Sequence, residues 1–397
     1  MEEETEPGQE SPNAPTENTE PVADTSPGDE SASRSDAESS NGDVRDARVA
    51  QPIVIPVAGG KGGVGKTFLA ANIAVGLAEL GHRTIAVDLD LGGSNLHTLL
   101  GLQNEHPGIG DFLKARTGEL DAMVVDTKVP NLRFLAGEGR TPFMANLAHA
   151  QKLKLISRIK KLPADYILLD LASGSTYNTL DFFRMSTRGI LVTVPEYPAI
   201  MNMMTFLKNL LLRDFGRRFA KNAKIKGLIQ SLERKPIDDQ DNSVDHLIDL
   251  VEDFDLESAQ EMRKICREVR PRIVFNMGEN PDEMALSSSI NSGLDSILSL
   301  EADYFGFVFR DPEVVRSVRG GRAPFLQNST GIAAQNVRRV AERIHAFWEN
   351  APLHTDQAIR RHATEDFENA VPAVQSIQSD IPRVTKKRSW LRRLFGK

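Results

Sequence analysis

Ile53-Val54-Ile55-Pro56-Val57-Ala58, running directly into Gly59-Gly60-Lys61-Gly62-Gly63-Val64-Gly65-Lys66-Thr67, is the stretch from which the rest of the chain is read. An apolar run of strand length meets a glycine-rich loop, and Leu69 to Ala78 then carries a helical pattern. Strand, glycine loop and helix in that order is the setting of a phosphate-binding loop. Glycines let the backbone curl until successive N–H groups converge on phosphate oxygens, at the positive end of the following helix. Lys66 is placed to bridge the outer phosphates and the Thr67 hydroxyl to ligate Mg²⁺. The stretch from Gly60 to Phe68 is therefore the candidate nucleotide site, with ATP and Mg²⁺ as the expected ligands.

Outward from the loop, short apolar runs alternate with helical patterns. Thr84–Asp88, Tyr166–Asp170, Gly189–Val194, Arg272–Asn276 and Phe305–Val308 read as strands. Lys152–Lys161, the stretch after Val194 through Leu212, and Ile332–Trp348 read as helices. This is the pattern of a doubly wound, mainly parallel α/β sheet with helices on both faces, binding ligands beyond the strand carboxyl ends. Pro56 lacks the donor a central strand needs, which predicts a shortened strand or a bulge there. Residues 238–270 read as a charged stretch with two helices and no motif.

The 397 residues carry a net charge of −7, and 40% are apolar, enough for a core. The charge is uneven: residues 1–46 hold fourteen acids against two arginines and almost nothing aromatic. Such a segment buries too little to offset its ordering entropy, so 1–50 is expected to be a disordered acidic tail. The single cysteine, Cys266, excludes an internal disulfide framework and the paired cysteines of cluster carriers, and reads as an inert helix residue in a reducing compartment. The acidic start lacks a signal-peptide pattern, and no apolar run reaches the roughly 20 residues of a membrane span. The expected organisation is an ATPase domain over 51–350, a polar, partly helical tether over 351–385 and a terminal helix over 386–397.

Lys61, five residues before Lys66, gives the loop the form Lys-Gly-Gly-x-Gly-Lys-Thr. That form resembles the MinD/ParA family of dimerising ATPases, over roughly residues 52–350. The resemblance implies that Lys61 reaches across a homodimer interface to the partner's nucleotide. It makes Asp90, in Asp88-Leu89-Asp90-Leu91-Gly92, the residue that orients the attacking water, and Asp88 a group near the metal. By the two-residue pleat the two acids share one face. Asp170, after four apolar residues, resembles the Walker B acid that holds Mg²⁺ through water. Gly93 to His97 and Gly174 match the family's two nucleotide-sensing loops. The chain departs from the family at Phe68, often a hydroxyl residue, which implies weaker nucleotide binding, and at Ala172, often Pro or Gly, which bears on the hydrolysis rate. Asn276 aligns with a base-contacting position and reads equally as a turn-forming asparagine.

The chain ends Lys386-Lys387-Arg388-Ser389-Trp390-Leu391-Arg392-Arg393-Leu394-Phe395-Gly396-Lys397, with no acid after Asp380. On a helix, Trp390, Leu391, Leu394 and Phe395 form an apolar face opposite Arg388, Arg392 and Arg393. A basic amphipathic helix suits an anionic membrane surface, and this one resembles the membrane-targeting tail of the MinD branch. One such helix is marginal, while two on a dimer gain by effective concentration, by about 10²–10⁴-fold. The expectation is a cytoplasmic switch ATPase, slow without a stimulating protein. It dimerises with ATP, binds the inner face of the plasma membrane reversibly and positions cellular machinery of the division-site or flagellum-placement type. The string Asn178 to Phe183 looks closer to the flagellar-number-regulator branch, although residues 1–52 lack that branch's partner-docking motif. The alternative is a ParA-like partition ATPase binding DNA through Arg213, Arg217, Arg218, Lys221, Lys224 and Lys226. Synthetase and tyrosine-kinase relatives are disfavoured by the missing nucleophilic cysteine module and the scattered tyrosines.

Overall fold

A computed structural model describes residues 51–115, 118–137, 147–235, 237, 243–321, 323–352 and 355–378, with side chains through residue 369. The expected acidic tail over 1–50 and terminal helix over 386–397 lie outside these residues. Eight strands form one sheet: β1 (Ile53–Ala58), β2 (Thr84–Leu89), β3 (Val124–Asp126), β4 (Leu132–Leu135), β5 (Tyr166–Leu171), β6 (Ile190–Thr193), β7 (Arg272–Gly278) and β8 (Asp303–Phe309). Their order is β3-β4-β2-β5-β1-β6-β7-β8. All neighbours are parallel except the edge pair β3–β4. The order reverses at β1, so the crevice beyond its carboxyl end is the switch point where α/β sheets bind ligands.

The helices are α1 (Lys66–Glu79), α2 (Leu96–Leu99), α3 (Ile109–Lys114), α4 (His149–Ile159), α5 (Tyr177–Phe183), α6 (Tyr197–Arg218) and α7 (Ala223–Glu233). They continue as α8 (Val244–Glu252), α9 (Leu256–Glu268), α10 (Leu286–Leu298), α11 (Pro312–Arg319), α12 (Phe325–Asn328), α13 (Ile332–Phe347) and α14 (Thr355–Gln378). The strands divide their side chains between two layers by the pleat. Ile55, Val57 and Leu168 pack with α1, α12 and α13, whereas Val54, Ala58, Ile167 and Leu169 pack with α4, α5, α6, α9 and α10. Burial on both faces is why these strands are continuously apolar rather than alternating. Helix α1 is buried from Leu69 to Ala78, all the way round, as a helix between sheet and outer helices must be.

Three expectations are corrected. Pro56 pairs in unbroken register with Leu169 inside β1, with neither shortening nor a bulge. The Ile53 N–H faces β5, donating to the Asp165 carbonyl. By alternation, Pro56's missing donor therefore faces β6, whose ladder to β1 begins only at Val57. Second, the helix placed after Val194 runs past Leu212 to Arg218. Third, the segment placed as a tether from 351 is docked at its start. Ile359 and Ala363 of α14 are buried in the core, and the Thr355 hydroxyl accepts from the Tyr304 N–H on edge strand β8. A helix there covers an edge that would otherwise be open.

The stretch from 238 resolves into α8 and α9, both with a strong apolar face, buried through Leu247, Ile248, Val251, Met262 and Ile265. Cys266 on α9 is buried, and burial pushes its thiol up to about 12, as expected of an inert residue. Among the described residues no helix is long and apolar enough to cross a membrane.

Candidate nucleotide and magnesium site

Beyond the carboxyl end of β1 the glycine loop turns into α1. Gly63 and Gly65 have φ of 82° and 89°, in the left-handed region that glycine occupies without strain. Gly65 has a second constraint, because a Cβ there would collide with the Asn276 amide. That amide donates to the Val64 carbonyl at 2.8 Å. Asn276 thus sits inside β7, buried and bracing the loop, which corrects the reading of it as a turn former. Gly60 is fixed by backbone of another element: a Cβ would overlap the Asn202 carbonyl on α6. These contacts hold the loop open for phosphate from two sides of the switch point.

Lys66 opens α1, is almost wholly buried, and donates to the Ser173 hydroxyl at 2.8 Å. Burial lowers its pKa, opposed by the charges of Asp170 and Asp90. Phe68, the departure from the family pattern, turns its ring onto Phe325 of α12 at 5.4 Å. It has taken a packing role in place of the hydroxyl often found there.

Two carboxylates lie under the loop. Asp88 of β2 and Asp170 of β5 are direct register partners, so they share a face of the sheet. Both are fully buried. Asp88 accepts the backbone N–H groups of Asp90 and Leu96, at 3.1 Å each, yet burial pushes its carboxyl up to about 7, with the Asp90 charge adding to the effect. Asp170 is raised as well, by burial first and by Asp88 second; the Thr67 hydroxyl and Lys66 are the groups that act against the rise. Neither Asp170 oxygen has a hydrogen-bond partner of ordinary geometry. A buried carboxylate without a partner costs several kcal/mol as an ion, so its presence calls for a cation. Thr67 and Asp170 fit a hard, oxygen-preferring ion such as Mg²⁺, and Asp88 stands one strand away.

Asp90 lies just past β2, half-buried, and lines a cavity of about 620 Å³ between that turn, α4 and α5. The cavity also takes in Ala172 and Thr176, the loop between β5 and α5. Gly174 of that loop has φ 78° and donates its N–H to the Gly59 carbonyl at 3.3 Å. The loops bearing Asp90 and Ala172 therefore border one cavity, and the second loop is tied to the start of the glycine nest through Gly174. Lys61 is half-exposed at the rim, 3.7 Å from Glu196. An ion pair so exposed is weak, at about 0–1 kcal/mol, and holds Lys61 loosely.

Three features escape the sequence reading. The Ser173–Lys66 bond joins residues 107 apart with no motif to announce it. The Glu196–Lys61 pair is the same kind of contact. The third is a buried hub on α5, where Asp181 receives Lys152 of α4 together with Arg213 and Arg217 of α6. Its signal was available: a lone acid within Leu180-Asp181-Phe182-Phe183 has to be paired if the aromatics are buried. The hub also alters the candidate DNA surface, because Arg213 and Arg217 are held by Asp181 and Arg218 by Glu261.

Comparison with known proteins agrees with the geometry. Residues 55–325 match the model of the CobQ/CobB/MinD/ParA nucleotide binding domain. The septum site-determining protein MinD of Synechocystis is 28% identical over 276 residues, which cover 69% of this chain and 91% of that protein. The antiactivator FleN of Pseudomonas aeruginosa is 33% identical over 165 residues, 41% of this chain and 58% of FleN. Among solved structures, Pyrococcus horikoshii MinD complexed with Mg-ADP is 19% identical with a TM-score of 0.48, over 76% of this chain and 99% of that one.

Proposed function

Because the chain belongs to the CobQ/CobB/MinD/ParA family of nucleotide-binding ATPases, we propose that it is a switch whose two copies pair around ATP and then hold a membrane through their C-terminal helices, placing cellular machinery there. The observation that carries the reading is the partnerless Asp170 carboxylate beside Thr67 and Lys66 under a glycine nest. Lys66 and the loop N–H groups bind the phosphates, and Thr67 and Asp170 hold Mg²⁺, which when bound neutralises phosphate charge. Asp90 orients the attacking water from the edge of the 620 Å³ cavity. Because phosphoryl transfer rests on positioning, losing Asp90 should slow hydrolysis more than binding. Lys61 leaves Glu196 for the partner's nucleotide, at a cost the weak surface pair sets low.

The membrane arm rests on the composition of 386–397. Each basic residue near an anionic surface contributes about 1 kcal/mol, so the pair of helices on a dimer, not one alone, gives stable residence. The DNA-partition reading loses support at Arg213 of α6, which is turned inward onto the buried Asp181.

The test is sedimentation with anionic liposomes or with DNA, with ATP or ADP, for the full chain, the Lys61→Ala variant and a chain lacking 386–397. The expected result is ATP-dependent liposome binding and dimerisation by the full chain. Lys61→Ala should remove both by at least tenfold, and the deletion should remove membrane binding alone. Dimerisation untouched by Lys61→Ala, or sedimentation with DNA only, would overturn the proposal.

A further inference from the structure

We propose that the Ser173 hydroxyl reads the terminal phosphate, so that this side chain tells triphosphate from diphosphate and passes the difference to the loop leading into α5. The inference rests on the ATP-site reading above and adds a residue to it.

The Lys66 ammonium has three N–H donors, and one of them goes to Ser173 Oγ at 2.8 Å. Ser173 is exposed, and as an acceptor of that bond it keeps its own O–H free to donate. The hydroxyl also stands directly over the nest, 3.7 Å from where a Cβ of Gly62 would be. An oxygen that bonds the loop lysine above the loop glycines occupies the kind of position that an outer phosphate oxygen takes. Lys66 has two donors left for phosphate, so Ser173 need not leave when nucleotide arrives. It can stay on Lys66 and donate to the outermost phosphate, a charge-assisted bond. A diphosphate leaves that donor without its acceptor.

The loop is built to carry the result. Ser173 lies between Asp170 at the end of β5 and Gly174, whose N–H is tied to the Gly59 carbonyl at the start of the nest. At φ 78° Gly174 is the point where this backbone can turn. Thr176 then caps α5, its hydroxyl accepting the Thr179 N–H at 3.2 Å. A bond made or broken at Ser173 is therefore three residues from the cap of α5 and next to Ala172, which lines the cavity that holds Asp90. Ser173 is a positioning residue rather than one that exchanges a proton with substrate.

The test is the affinity ratio between ADP and a non-hydrolysable ATP analogue, each with Mg²⁺, measured calorimetrically on the full chain for wild type, Ser173→Ala and Ser173→Thr. Ser173→Ala is expected to leave ADP affinity within about twofold and to weaken the ATP analogue about tenfold, near the lower range for a lost bond to a charged group. Ser173→Thr, which keeps the hydroxyl, should restore the ratio to within about threefold. An unchanged ratio in Ser173→Ala, or equal weakening of both nucleotides, overturns the proposal. Lys66→Ala serves as the separate check on the underlying site: if it still binds both nucleotides as wild type does, the ATP-site reading itself falls, whereas loss of both with an unchanged Ser173→Ala ratio sinks only the serine.

Discussion

Asp170→Asn is expected to raise the melting temperature of the nucleotide-free protein by several degrees at pH 8, while removing most of the stabilisation that Mg²⁺ and ATP give the wild type. The first half follows from the pair under the loop. Asp88 and Asp170 are register partners, both fully buried, and both carboxyls are raised by burial, with the Asp88 charge adding to the rise at Asp170. A group whose pKa is raised on folding contributes stability that is complete below its unfolded value and is lost as pH rises through its folded value. For Asp88 that window runs from 3.8 to about 7, so the nucleotide-free fold weakens across it. At about 1.4 kcal/mol per unit, one such carboxylate costs the fold a few kcal/mol at pH 8. Asparagine at 170 removes that carboxyl's own cost and leaves Asp88, raised by burial and by Asp90, as it was. For a domain of this size each kcal/mol corresponds to roughly 2–4 °C.

The second half follows from what the carboxylate is for. In wild type the cation and nucleotide offset the buried charge, so ligand stabilisation should grow from pH 6 to pH 8. In Asp170→Asn it should be small and flat. Thermal shift at pH 6, 7 and 8, with and without Mg²⁺ and ATP, checks both. A variant that melts below wild type at pH 8 without ligand would show that Asp170 is a structural acid and remove the main support for the metal site.

Where physics is local, the sequence was a good guide. The strand–loop–helix unit at Ile53–Ala78 is written in consecutive residues, and so are the apolar strands ending in Asp88 and Asp170, because a buried parallel strand leaves no polar alternation to blur the signal. The matching register of Asp88 and Asp170 was not legible, since it depends on β2 and β5 becoming neighbours across the sheet. Pro56 misled because the cost of a missing donor depends on which neighbour the residue faces, and that is decided by where β6 begins. The bracing role of Asn276 was hidden for a similar reason. A polar residue near a strand end suggests a turn, yet its partner is the Val64 carbonyl, 212 positions away. The docking of α14 turns on a few apolar contacts, Ile359, Ala363 and Phe367, within a mainly polar segment that averages out as a tether.

The Asp181 hub gives the second large expected effect, with the opposite pH signature. Asp181→Asn should lower the melting temperature by about 10 °C at pH 7. Burial alone would raise the Asp181 carboxyl, but hydrogen bonds from Arg213 and Lys152, with the Arg217 charge, hold it below the usual range. A group lowered on folding contributes stability that is present above its unfolded value and is lost as pH falls through its folded one. The hub therefore strengthens the fold at neutral pH, where Asp88 and Asp170 weaken it. Asparagine keeps the shape and strands the cations: Lys152, with a side chain 6% exposed, and Arg213, at 22%, would keep their charges without a counter-ion. Breaking one partner of a buried set costs about 3–5 kcal/mol, whereas replacing the whole set by apolar residues of similar volume is near neutral. The triple variant Lys152→Met, Asp181→Leu, Arg213→Met should accordingly recover most of the lost melting temperature. Recovery of stability need not recover hydrolysis. Helix α5 carries the loop with Ser173 and Gly174, and the cavity beside Asp90 is lined by Lys152 and Arg213 themselves. The triple variant is thus expected to fold and bind nucleotide but to hydrolyse it several-fold more slowly. If Asp181→Asn melts with wild type at pH 7, the three cations are held by solvent rather than by Asp181, and the hub is not what fixes α5 between α4 and α6.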